Sequence, residues 1–199
     1  GLDSTDTVAA DTGYGVYLIR RSDTGVVDVL MSSDMTAAGS ALTMPTNYDQ
    51  KRLIGWIHTD GSANIIAFVQ SGDYFRLLGE PVSSVTDTTA SSTWEDLTMT
   101  CPPLSLAHIY VKWNDSTPEV AAEAYIRAKG SNDNSVAAKM GWIAIQHANA
   151  SGFYHAATIG MIITDASKII QYAGRDTGTD SAVVTIEMIG CDMLIRSNP

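Results

Sequence analysis

Short apolar runs, each closed by residues that turn the chain, constrain this sequence more than any other feature. Tyr14 to Arg20 is a β-branched and aromatic run. Ser22-Asp23-Thr24-Gly25 then reads as a turn, because Asp bonds its own backbone and Gly accepts positive φ. Val27, Val29 and Met31 alternate with Asp28 and Ser32, the period of a half-buried strand. Pro45 to Asp49 reads as a loop. Leu53 to His58 and Asn64 to Gln70 flank Thr59-Asp60-Gly61-Ser62, and Asp-Gly between two apolar runs predicts a hairpin. Ser71-Gly72-Asp73 turns the chain again into Tyr74 to Leu78.

The second half has the same texture. Ile109, Val111 and Trp113 alternate with Tyr110 and Lys112, while 141–146, 158–164 and 169–172 are apolar runs of strand length. Residues 183–195 are long enough for one bent strand or two. Between the halves, 81–93 is rich in Ser, Thr and Asp and reads as a long loop, too polar to pack. Residues 117–130 carry two signals. Thr117, Pro118, Glu119 and Gly130 have the chemistry of a capped helix, but Val120, Ala122, Ala124, Ile126 and Ala128 alternate as a strand. Strands on either side decide for the strand, since tertiary context overrides local propensity. The expected fold is all-β, an antiparallel β-sandwich of jelly-roll type over 1–199 as one domain, with a sub-division near 81–93 as the alternative.

Charge narrows the partners. A formal net charge of −10 lacks the basic footprint that nucleic acid requires and repels anionic membranes. No apolar run reaches the roughly 18 to 20 residues of a membrane-spanning helix. No signal peptide is visible, and the opening Gly1-Leu2-Asp3 reads as the start of an excised domain. Cys101 and Cys191 have no CxxC spacing and are expected to be buried free thiols, although a disulfide between them is not excluded by sequence.

From Leu2 to Phe75 several blocks recur in order. They are Thr12-Gly13-Tyr14-Gly15-Val16-Tyr17-Leu18-Ile19, Ser22 to Ser32, Met44-Pro45-Thr46-Asn47-Tyr48, Lys51 to Ile57, Thr59 to Ile66 and Phe68 to Asp73. Together they resemble a module of bacteriophage tail, fibre and other virion proteins. The match departs where that family often carries Trp-Tyr, because Gly13 precedes Tyr14 here. The resemblance implies a homo-oligomeric virion component, often a trimer, and names no ligand.

Catalytic constellations are sparse. There is no G-x-S-x-G elbow, and His58, His108, His147 and His155 stand in no H-E-x-x-H pattern. A metal shared by His147 and His155 is the outlying alternative to ordinary histidines. Asp176 to Asp180 with Glu187 echoes a calcium loop, but Ser181 stands where that loop needs Gly, so a simple turn is favoured. Asn132-Asp133-Asn134 reads the same way. No metal site and no cofactor is expected.

Glycan binding needs only an aromatic ring to stack on a pyranose and polar side chains to bond its hydroxyls. Trp94 with Glu95 and Asp96, and Trp113 with Asn114 and Asp115, offer that combination. Each Trp is also a candidate core residue, and Trp56 and Trp142, inside apolar runs, read as core. Glu95 and Asp96 are adjacent, so on a strand they face opposite ways and cannot flank one glycosidic bond. The expected function is a virion-surface fibre or spike domain that binds host cell-surface polysaccharide without catalysis and contacts other virion proteins. A head-decoration or tail-connector protein is the alternative, and a glycan hydrolase or esterase the distant one.

Overall fold

A computed structural model describes residues 1–79, 82–87, 93–115, 122–131, 143–147, 154–176 and 183–193. Within them the chain is all-β, with thirteen strands and no helix. The strands are β1 (Gly13–Arg20), β2 (Val27–Ser32), β3 (Gln50–His58), β4 (Phe68–Ser71), β5 (Tyr74–Leu77), β6 (Val82–Asp87) and β7 (Glu95–Thr98), then β8 (Leu106–Asp115), β9 (Ala122–Ala128), β10 (Ile143–His147), β11 (Tyr154–Ile163), β12 (Ile169–Asp176) and β13 (Val183–Asp192). All their pairings are antiparallel.

The first sheet has the order β2-β1-β3. Tyr17, Ile19 and Leu30 line its inner face and pack with Leu42. The Tyr17 hydroxyl lies 2.8 and 2.6 Å from the carbonyls of Asp34 and Thr36, which pins the loop after β2 over that face. This pairing inverts the expected face of β2. Leu30 and Ser32 are buried, whereas Val27 and Val29 are 52% and 40% exposed. Leu30 sits opposite Tyr17 and Val29 opposite Leu18, so the side of the sheet chosen by Tyr17 leaves the valines outside.

The remaining strands form a four-stranded sheet, β10-β9-β12-β7, and a six-stranded sheet, β11-β8-β13-β5-β4, with β6 also pairing to β13. One core joins the two. Ile109, Val111, Val184 and Ile186 come from the larger sheet, and Leu97, Ile126, Ile170 and Tyr172 from the smaller. Two sheets facing across one core is the arrangement of a sandwich. Trp56 enters the same core from β3, its ring 4.5 Å from that of Phe75 on β5, edge to face. Trp56 is therefore core, as expected; Trp142 lies outside the described residues.

Four local expectations meet the structure here. The turn at Asp60-Gly61 forms, with the Asp60 carboxylate accepting the N–H groups of Ser62 and Asn64 at 2.8 Å each. The chain folds back for a single antiparallel bridge, Thr59 to Ile65, with the Ile66 N–H donating to the His58 carbonyl at 2.9 Å, but the hairpin goes no further, because β3 pairs with β1 and β4 with β5. The chain uses the turn to cross between sheets. Within the supposed loop 81–93, Val82–Asp87 is a strand on β13, where Val82 and Val85 pack against the core despite their polar neighbours. Ala122–Ala128 is a strand, as the alternation required. Both of its faces are closed: Ala124 and Ile126 on one, Glu123 and Tyr125 on the other. The start of the helix signal, 117–121, lies outside the described residues. β13 is a single strand, bent where its register to β8 shifts between Met188 and Gly190.

Candidate functional site

Register places Trp94 and Asp96 in a patch that the sequence only half revealed. Gln171 on β12 pairs with Asp96 on one side and with Arg127 of β9 on the other. The three side chains therefore form a lateral row across one face of the smaller sheet. Gln171 Nε2 donates to Asp96 Oδ1 at 2.9 Å, and Arg127 Nε donates to Gln171 Oε1 at 2.9 Å. Lys129 closes the row with an ion pair to Asp96 Oδ2 at 2.5 Å. These donors, Lys129 first, hold the Asp96 carboxyl below its ordinary range. Both Asp96 oxygens keep a lone pair beyond the bond each already accepts, so the carboxylate still takes a ligand hydroxyl.

Trp94, two residues before Asp96, shares that face. It packs against Tyr125 and Ala173, and the Arg127 guanidinium sits 4.1 Å over its ring. The indole is thus partly core and partly platform, and one π face already carries a cation. Glu95 points the other way. It accepts the Tyr172 hydroxyl at 3.1 Å, and Tyr172 belongs to the main core. Of the three neighbours singled out by sequence, two meet on one surface and the third does not. Gln171, Arg127 and Lys129 were missed because cross-strand neighbours are created by register, which local spacing does not encode. Alternation of 127, 129 and 171 on their strands was the only available signal.

Trp113, Asn114 and Asp115 end β8 in the larger sheet. Trp113 pairs with Ala156 and Val184, Asn114 with His155 and Val183, and Asp115 with Tyr154. Their side chains lie outside the described structure, and their strand is in a different sheet from Trp94. His147 and His155 are placed only by strand pairing, on β10 and β11. Glu187 is held by Lys112 at 2.7 Å, while 177–182 and Asn132 to Asn134 lie outside the described residues. Among the described residues no group of three or more His, Cys, Asp or Glu is placed to hold a metal. Cys101 and Cys191 are free and buried.

A cleft of about 370 Å³ opens where the loop after β2 meets the turn between β11 and β12. Ser33, Asp34, Thr36, Ser40, Pro103 and Lys168 are among its walls. Asp34 stands there as a hydrogen-bonded carboxylate. Its carboxylate accepts the N–H groups of Thr36 and Ala41 at 2.8 and 2.7 Å, and these bonds outweigh the upward push of burial on its pKa. No protein-family model matches the chain, and no curated protein matches it either.

Proposed function

We propose that this chain is a virion-surface module of jelly-roll type that binds host cell-surface polysaccharide without catalysing its cleavage. The row Asp96–Gln171–Arg127, with Lys129 and Trp94 beside it, carries the reading. It sets an acceptor, an amide and two cations in a fixed line on a sheet face, held by bonds of 2.5 to 2.9 Å. Such preorganised polar groups next to an aromatic ring suit sugar hydroxyls, because little ordering remains to be done on binding.

Strand order supports the jelly-roll part. The eight strands β6 to β13 lie as β6-β13-β8-β11 and β7-β12-β9-β10. Consecutive strands of this set alternate between the two sheets except at β9–β10, which pair with each other, a winding compatible with the double Greek key of viral coat and lectin domains. The virion assignment rests on the sequence resemblance over residues 2–75. Fold alone decides no ligand.

Titration with capsule and lipopolysaccharide fragments tests the binding. Single sites of about millimolar to micromolar affinity are expected, strengthened by multiple copies. Trp94→Ala and Asp96→Ala should weaken binding, with Trp113→Ala as the comparison for the other tryptophan, and no reducing ends should be released. Unchanged binding in Trp94→Ala and Asp96→Ala would remove this face from the reading.

An architectural role is favoured by a different observation. Among the described residues β11 is a ten-residue edge strand; it holds no acidic, Lys, Arg or Pro residue, and its Ile159 and Met161 are 65% and 58% exposed. Edges of soluble proteins usually carry charges, prolines or bulges that block pairing. An unprotected edge suits contact with further copies, and sedimentation would give the copy number, three under the fibre reading.

A further inference from the structure

We propose that copies of this chain join head to tail, the outer face of the first sheet on one copy seating against the outer face of the larger sheet, along β11, on the next. The inference rests on the architectural reading and gives its β11 face a partner surface; it makes no use of the β7 face.

An antiparallel sheet that packs on one side alternates to polar residues on the other. The first sheet departs from that rule. Its inner face holds Tyr17, Ile19 and Leu30. On its outer face Val29 lies opposite Leu18, and Met31 opposite Val16. Leu18, Val27 and Val29 are 38%, 52% and 40% exposed. Aliphatic side chains exposed side by side mark an interaction surface, whereas scattered ones do not. Two charged residues share this face, Arg20 opposite Val27 and Arg52 opposite Leu18. Neither guanidinium is in an ion pair among the described residues. No carboxylate alternates outward on β1, β2 or β3; Asp28 lies opposite Ile19, on the other side. In a chain of net charge −10, this face is aliphatic and basic. It fits an aliphatic surface with an excess of carboxylates.

The larger sheet carries such a surface. On its outer side the exposed Ile159 and Met161 of β11 lie opposite Tyr110 and His108 of β8. Asp192 stands 3.3 Å from the His108 ring with its side chain 32% exposed. Glu187, opposite Tyr110, is held by Lys112. The charged groups here are two carboxylates, one ammonium and one imidazole. Both halves of a matched pair are therefore on one chain. Neither face matches itself, because a twofold contact would set arginines against arginines or carboxylates against carboxylates, and like charges across an interface are costly. Two different patches make a heterologous contact, which closes into a ring or continues as a filament.

The test is sedimentation velocity on the full chain over a range of concentration, where association should grow with concentration. Leu18→Asp with Val29→Asp breaks the first face, and Ile159→Lys with Met161→Lys breaks the second. Each double variant alone should be monomeric. An equal mixture of the two should associate again, because one native contact is restored between unlike copies. Arg20→Glu with Arg52→Glu should weaken association by about tenfold or more. A native chain that stays monomeric overturns the inference and the copy contact of the architectural reading together. Association lost in the β11 variant but kept in the first-sheet variant overturns the inference alone, as does a mixture that stays monomeric. Unchanged association in Arg20→Glu with Arg52→Glu overturns the charge matching.

Discussion

The backbone N–H of Thr43 donates to Asp3 Oδ2 at 2.8 Å, tying the start of the chain to a loop forty residues on. Thr5 donates to the other oxygen through its N–H and hydroxyl, and Ser32 adds its hydroxyl at 3.2 Å. Burial pushes the Asp3 pKa up, but these four donors outweigh it and hold the carboxyl below its ordinary value. A depressed pKa contributes stability that is present above about pH 3.9 and is lost as pH falls through the folded value. Asp3→Asn turns one acceptor into a donor facing donors and should cost about 1–3 kcal/mol at pH 7. Urea midpoints should show that loss, together with a shallower acid limb below pH 4.

His58 makes the opposite kind of contribution to the pH profile. It is fully buried beside Trp56, and neither ring nitrogen has a hydrogen-bond partner. The Thr59 backbone is near the ring without meeting hydrogen-bond geometry. Burial lowers its pKa, outweighing the upward pull of that backbone and of Asp11. The unfolded chain therefore takes up a proton below about pH 6.5 that the folded chain refuses. Stability should fall as pH drops from 7.5 to 5, by at most about 1.4 kcal/mol per pH unit from this group. His58→Phe should flatten that slope in urea titrations; an unchanged slope would remove His58 as its source.

Gly190 sits where β13 bends, and a Cβ there would lie 2.4 Å from the Phe75 carbonyl oxygen. The nearest atoms are all backbone of β5, at Phe75 and Arg76, so no flexible side-chain end can move aside. Gly190→Ala should cost about 1–3 kcal/mol by overpacking, read as a lowered thermal midpoint.

Both thiols should be silent in the native protein. Burial pushes the Cys101 pKa up to about 12 and that of Cys191 well above its ordinary value, and the thiolate is the reactive form. Ellman's reagent at pH 8 should release no colour from folded protein and two equivalents in guanidinium. Rapid labelling of the native state would show that the core around them opens.

Strand positions were legible because apolar runs and turn residues are local signals. Tyr14 to Arg20 and Leu53 to His58 lie within β1 and β3. Facing was not legible. Val27 and Val29 promise a buried row by themselves, and only the pairing of Leu30 with Tyr17 shows that the opposite row is inside. The Asp60-Gly61 turn was right in chemistry and in reversing the chain over the Thr59–Ile65 bridge, but it did not show that the flanking strands would ladder elsewhere. Ala122 to Ala128 resolved as strand because it lies between β10 and β12, a relation among segments far apart in sequence. The same limit governs the candidate site. Trp94 and Asp96 are visible as neighbours, and alternation correctly separates Glu95 from them. Arg127 and Gln171, 31 and 75 residues from Asp96, arrive only through register.

Trp56 is carried by a strand of the first sheet yet packs on Phe75 of the sandwich. Tension applied to residues 13–58 is therefore passed to the large core through this ring contact. The two parts should melt as one body, giving a single heat-absorption peak in calorimetry, and anything that grips the first sheet also grips the sandwich.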